Sequence, residues 1–292
     1  MGIATSSDNP VSTNQTLSGG STKGIQLDLT YFKWNATDNF YLYAGKIKIP
    51  FYKPQKSSLL WDGDYNPEGA AATWDSDRFF ATPATSWLES YNKKANHQFS
   101  WGVQGGVKFA LGSATLTTGL GYHDLPVKGD ATFFGDDDDF YGNSFECSDP
   151  NDNSTCAYTF NYEELEFFAN LGMSAFGMPL DIFANFVQNQ DAEEYDTGYI
   201  VGAKLGKAKG KGTWQVSYQY EDLEKDAVLG LLSDSDFAGG GTDAKGHRLG
   251  GAYGIDKGCK VGFTAFIDNE FGTSTDEPMS YDRLMLDISF KY

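Results

Sequence analysis

The segment YDRLMLDISFKY at 281–292 alternates strictly, with Leu284, Leu286, Ile288, Phe290 and Tyr292 on one face and Arg283, Asp287, Ser289 and Lys291 on the other. Successive side chains of a strand point to opposite faces, so this pattern predicts a strand with one apolar side. The pattern recurs. Alternating runs bounded by turn signals predict strands at 23–34, 40–50, 67–74, 78–89, 97–110, 113–125, 160–175, 179–189, 196–207, 212–222, 246–255, 259–270 and 281–292. In 97–110, Phe99, Trp101, Val103, Val107 and Phe109 oppose Gln98, Ser100, Gln104 and Lys108; in 212–222, Trp214, Val216, Tyr218 and Tyr220 oppose Gln215, Ser217, Gln219 and Glu221.

The connections sort by length. Short ones fall at 35–38, 75–77, 112–113, 176–178, 208–211 and 256–258, and long ones at 51–66, 90–96, 126–159, 190–195, 223–245 and 271–280. Short and long alternate provided that 67–89 holds two strands; a single strand there breaks the alternation. An up-and-down barrel of a bacterial outer membrane has this asymmetry, with tight periplasmic turns and longer outer loops. The predicted fold class is therefore all-β, an antiparallel up-and-down transmembrane β-barrel with about 13 strands in this chain, from a parent barrel of 14 or 16. Trp34, Tyr41, Tyr43, Trp87, Trp214 and Tyr292 are candidates for the aromatic girdles at the two interfaces. The competing reading makes the same apolar faces the core of a soluble acidic β-sandwich that binds carbohydrate through exposed tryptophans.

Counting back from a last strand that descends to the periplasm, strand 23–34 also descends, so its start lies outside. Single-chain barrels have an even strand number and both ends on the periplasmic side, which predicts an ascending strand upstream, with Gly2, Ile3 and Ala4 as its tail. Residues 1–292 are thus expected to form a single barrel domain truncated at its N-terminus. The polar stretch 1–22 lacks the apolar core of a signal peptide, as a fragment would.

Composition narrows the partners. The chain has 292 residues and no apolar run of about 18 residues, which excludes a spanning helix. A net charge of −18 excludes the basic footprint of a nucleic-acid binder. The mean hydropathy of −0.43 decides nothing, because a transmembrane barrel alternates and leaves no strong local signal. Cys147 and Cys156 lie in a polar loop and predict a short-loop disulfide, hence an oxidising compartment, whereas Cys259 stands alone. No ligand spacing supports zinc, and no metal or other cofactor is expected.

Three stretches, DNPVSTNQTL (8–17), YAGKIKIPF (43–51) and LLWDGDYNPEG (59–69), together with PLDIFANFVQNQ (179–190) more weakly, resemble the putative porin family of Gram-negative outer membranes. The resemblance covers most of the chain from about residue 5 and implies a diffusion channel for small hydrophilic solutes or ions, with no catalytic residues. Members begin with a signal peptide and further strands before this point, which this sequence lacks.

The candidate lumen charges are Lys46, Lys48, Lys108, Lys204, Arg248, Lys260, Arg283 and Lys291 against Asp28, Glu164, Glu166, Glu221, Asp268 and Asp287. Opposed rows of this kind set the transverse field of a polar channel, or pair across it and stiffen the barrel. Asp62, Asp64 and Glu68 mark a turn rich in acceptors without full calcium-loop spacing, and the run at 136–139 reads as a solvated loop tip. Glu164 and Glu166 share a strand face as a glycosidase pair might, but same-face neighbours are commonplace, and an enzyme is not expected. The expected partners are outer-membrane lipid, the permeating solutes and further copies of the chain in a homotrimer. A barrel serving only as a plugged anchor is a third reading.

Overall fold

In the computed structural model, residues 1–5, 11–12, 24–90, 97–134 and 139–291 are described. The wall begins with β1 (Gly2–Ala4), β2 (Gln26–Asn35), β3 (Phe40–Lys46), β4 (Glu68–Asp75), β5 (Phe79–Ser90), β6 (His97–Leu111) and β7 (Ala114–Leu125). A small hairpin, β8 (Phe145–Cys147) and β9 (Cys156–Tyr158), lies apart in the long connection that follows. The wall resumes with β10 (Tyr162–Ala175), β11 (Met178–Asn189), β12 (Thr197–Gly206), β13 (Trp214–Leu223), β14 (Ala244–Asp256), β15 (Cys259–Phe271), β16 (Met279–Ser280) and β17 (Arg283–Phe290).

Each wall strand pairs antiparallel with its neighbour in sequence, in the order of an up-and-down meander. β16 and β17 both pair with β15 and are two segments of one strand. All thirteen expected strands are present, and β4 and β5 are separate, as the alternation of connections requires. Gly2–Ala4 pairs antiparallel with β2, in the ascending sense expected of it. Among the described residues no ladder joins β17 to β1 or β2, so the sheet is open.

The faces are inverted relative to a soluble domain. Trp101, Val103, Val216, Leu249, Phe263, Leu284, Leu286 and Ile288 are exposed on the outer side, Leu286 by 77%. Gln104, His123, Glu164, Glu166, Asn185 and Glu221 are buried on the inner side. Burying polar groups while exposing large apolar ones is favourable only where the outside is hydrocarbon. The core of a soluble sandwich does not form.

Tight turns hold the strands at one end. Phe176 and Gly177 have φ of 54° and 72°, the two positive values of a type I′ hairpin whose twist matches its strands. Gly177 takes this conformation without penalty, and Phe176, 91% exposed, carries the strain. Two expectations are corrected. The strand expected at 40–50 stops at Lys46, because Gly45 adopts φ 119° and the chain turns inward, with Ile47 donating to the Pro67 carbonyl at 2.8 Å. Tyr41 and Tyr43 are not girdle residues: they face inward, where the Lys33 ammonium lies 4.3 and 5.1 Å from their ring centres. Trp34, Trp87 and Trp214 are exposed outside; Tyr292 lies outside the described residues.

Candidate functional site in the lumen

The hydrophobic core lies inside the wall and is built by connections. Leu59, Leu60, Trp61 and Tyr65 come from the segment 47–67, Val127, Phe140 and Tyr158 from 126–161, and Val228, Leu229, Leu231 and Leu232 from 224–243. They pack against inward residues of the wall such as Tyr162, Val187 and Ile200. These connections therefore fold into the mouth. Leu59, Leu229, Leu231 and Leu232 are buried to 1% exposure or less, and each such side chain is worth about 1.5–3 kcal/mol of transfer free energy.

The segment 47–67 crosses the lumen. Tyr52 is fixed to β6 by a reciprocal pair: its N–H donates to Gln104 Oε1 at 2.7 Å, and Gln104 Nε2 donates to its carbonyl at 3.0 Å. Further along, Gln55 Nε2 donates to Asn170 Oδ1 on β10 at 3.3 Å, and Asn185 Nδ2 of β11 to Ser57 Oγ at 3.4 Å. Phe51 and Trp61 meet the His123 ring edge-on at 4.6 and 5.5 Å. Gly102 makes this possible, since a Cβ there would lie 2.5 Å from His123 Nδ1 and 3.0 Å from Phe51. Lys53 Nζ donates to the Trp61 carbonyl at 2.6 Å and closes the loop on itself. Burial lowers the Lys53 ammonium to about 8, with Asp62, Asp234 and Glu166 resisting the shift.

The segment 224–243 docks on that loop. Asp62 N–H donates to the Leu232 carbonyl at 2.7 Å, Ser235 N–H to Asp62 Oδ2 at 3.0 Å and Ser58 Oγ to Asp234 Oδ2 at 2.6 Å. Burial raises the Asp62 carboxyl, opposed by the N–H groups of Asp64 and Ser235. From above, Asn143 spends its amide on the same segment, donating to the carbonyls of Lys225 and Val228 and accepting from Gly230 N–H at 2.8 Å. Cys147 and Cys156 are joined by a disulfide across the β8–β9 hairpin.

Below the docked loops lies a polar cavity of ≈480 Å³. Of the sequence-derived residues, Lys204, Arg248, Lys260 and Asp287 line it. Arg248 donates to Asp234 at 3.1 Å, and Arg283 to Asp236 at 2.8 Å. Glu166 accepts from Gln104 at 2.9 Å with His123 Nε2 at 3.3 Å, and Glu164 accepts from Leu229 N–H at 3.2 Å. Glu164 is a strut between wall and loop, whereas Glu166 ties β10 to β6 and β7 within the wall. Glu221 is buried with Asp234 and Arg248 as its charged neighbours. Lys46 donates to the Asn66 carbonyl at 2.9 Å, Asp28 accepts from Asn66 at 2.6 Å, and Lys108 binds Asp75 at 2.5 Å near the short turn. These are away from the cavity. Lys48 lies past the end of β3 in a separate depression with Tyr31 and Lys33, and Lys291 is exposed beyond β17.

Asp268 departs from simple alternation. It occupies a bulge with φ 52° and is exposed, and Asn269 takes the buried inward place. The bulge also separates β16 from β17, where Tyr281 N–H donates to the Asn269 carbonyl at 2.7 Å. The sequence reasoning missed Asp234, Asp236, Lys56 and Gln104 as parts of the site. Apolar runs inside the supposed outer loops, SLLW at 58–61 and AVLGLL at 227–232, were the available signal.

An antiparallel meander with an apolar outside, a polar inside and loops folded into its mouth is the wall of an outer-membrane channel. The chain belongs to the family described as Putative porin, whose model matches residues 1–131 and 152–292. No curated protein matches. Among solved structures, the high-pH structure of OprB from Pseudomonas putida superposes with a TM-score of 0.59 at 12% identity, covering 91% of this chain and 73% of that one. The protein is an outer-membrane porin.

Proposed function

We propose that small hydrophilic solutes and ions diffuse past the inserted loop 47–67, through the cavity that Lys204, Arg248, Lys260 and Asp287 line. The carrying observation is that loop's crossing from β6 to β10 and β11, which narrows the lumen. Lys46, Lys108, Glu164, Glu166 and Arg283 then hold the wall and its loops in place, whereas Lys48 and the bulge residue Asp268 stand apart. The exposed apolar band meets lipid, and copies of the chain associate as a homotrimer. Chemistry on the solute is not part of this reading: of the same-face glutamates, Glu164 accepts from Leu229 N–H and Glu166 from Gln104, beside His123.

The packed core in the mouth favours a second reading, a plugged anchor that inserts without conducting. Planar-bilayer recording separates the two. Step-like conductance from detergent-extracted protein is the expected result; insertion with no conductance selects the anchor, and a monomer freely soluble without detergent overturns both.

A further inference from the structure

We infer that the cavity binds small anionic solutes, carboxylate- or phosphate-bearing, through Lys56, Lys204 and Lys260; this rests on the channel reading and adds the sign of its cargo. Lys56 is carried by the inserted loop, Lys204 by β12 and Lys260 by β15, and all three line the same cavity. Among the described residues, none of their ammonium groups forms an ion pair or a side-chain hydrogen bond.

The acids around them are differently placed. Asp62 accepts from the N–H groups of Asp64 at 2.6 Å and Ser235 at 3.0 Å. Asp234 accepts from Ser58, Arg248 and the Asp236 N–H, and Asp236 from Arg283. With Asp234 and Asp236 paired to arginines, Asp62, Asp64 and Asp287 remain against the three lysines, and Asp181 stands opposite Lys204 across the β11–β12 ladder. Around Lys204 itself, Lys56, Lys207 and Lys260 outnumber Asp181, so the charge there is locally positive inside a chain of net charge −18.

Scale supports the contrast. At physiological salt the Debye length is about 8 Å, so the acidic exterior is largely screened from a solute in the cavity, and the nearby lysines dominate its energy. Gln215, Ser217 and Gln219 on β13 and Ser289 on β17 add neutral donors to the same wall. An ammonium without a carboxylate partner keeps its donors for a ligand oxyanion, and a charge-assisted bond of that kind is about twice as strong as a neutral one.

The test uses citrate as the probe on the detergent-extracted full chain. Titration calorimetry is expected to show saturable citrate binding, and the double variant Lys204→Ala/Lys260→Ala is expected to weaken it roughly tenfold. The control Lys257→Ala, in a short turn away from the cavity, leaves binding intact. Absence of citrate binding, or equal binding in both variants, overturns the inference. In bilayers, a tenfold KCl gradient gives a reversal potential on the anion side, and Lys204→Glu/Lys260→Glu moves it toward the cation side. Conductance with no such shift also overturns it. Binding without conductance would sink the channel reading and leave the anion site standing.

Discussion

Lys53 shows how one residue couples the inserted loop to the lumen field. Its ammonium is buried, donates to the carbonyls of Trp61 and Asp62, and has Asp62, Asp234 and Glu166 near enough to resist its loss of charge, while Lys56 favours that loss. Burial dominates, so the group titrates near 8, below its ordinary 10.5. Raising the pH from 7 to 9 therefore removes a positive charge from the lumen while the amine keeps two N–H donors for its carbonyl partners. The reversal potential in a KCl gradient should move toward the cation side over that interval, and Lys53→Met should abolish the movement. The sign for stability is opposite to that of a paired lysine. Between pH 8 and 10.5 the unfolded chain still holds the proton and the folded one does not, so stability rises with pH across that window. A pH-independent reversal potential in the native protein would refute this account of Lys53.

At the scale of elements, the strands were legible and the inserted loops were not. Period-two alternation needs only neighbouring residues, and it places the outward Phe99, Trp101 and Val103 and the inward Ser100 and Gln104 correctly from their order alone. Where parity breaks at Asp268, the bulge is invisible, because an extra residue in a ladder leaves composition unchanged. Connections read by length alone were assigned to the outside, although Leu59 and Leu231 are too apolar for a solvated tip. Their partners lie far along the chain, as when Ser58 meets Asp234, and no local pattern encodes that. The same independence gives a prediction. Wall strands are bonded to one another without the loops, so Leu59→Ala and Leu231→Ala, each costing about 2–5 kcal/mol of core packing, should loosen the loops and spare the barrel. The expected signature is higher single-channel conductance and faster proteolysis within 47–67 or 224–243, with strand content by circular dichroism unchanged. Loss of the strand signal in either variant would mean that wall and loops fold as one unit.

The whole molecule is organised by a solvent inversion, and that inversion can be tested on a single strand. Leu286 and Ser289 both lie on β17, three residues apart and therefore on opposite faces: Leu286 stands opposite Phe263 on the outer surface, and Ser289 lines the cavity opposite Lys260. In water an exposed leucine tolerates arginine at little cost, and a cavity-lining position is the riskier place for a long charged side chain. In a bilayer the order reverses. An arginine on the lipid face costs about 2–4 kcal/mol near the midplane, whereas the lumen is aqueous and accepts it. Leu286→Arg should therefore lower the folding stability measured by urea titration in lipid vesicles by that amount, and Ser289→Arg should change it little while reducing conductance. The reverse ranking would show that the outer face of β17 does not meet lipid. Equal small effects would place this part of β17 near an interface, where the lipid-face penalty falls to about 0–1 kcal/mol.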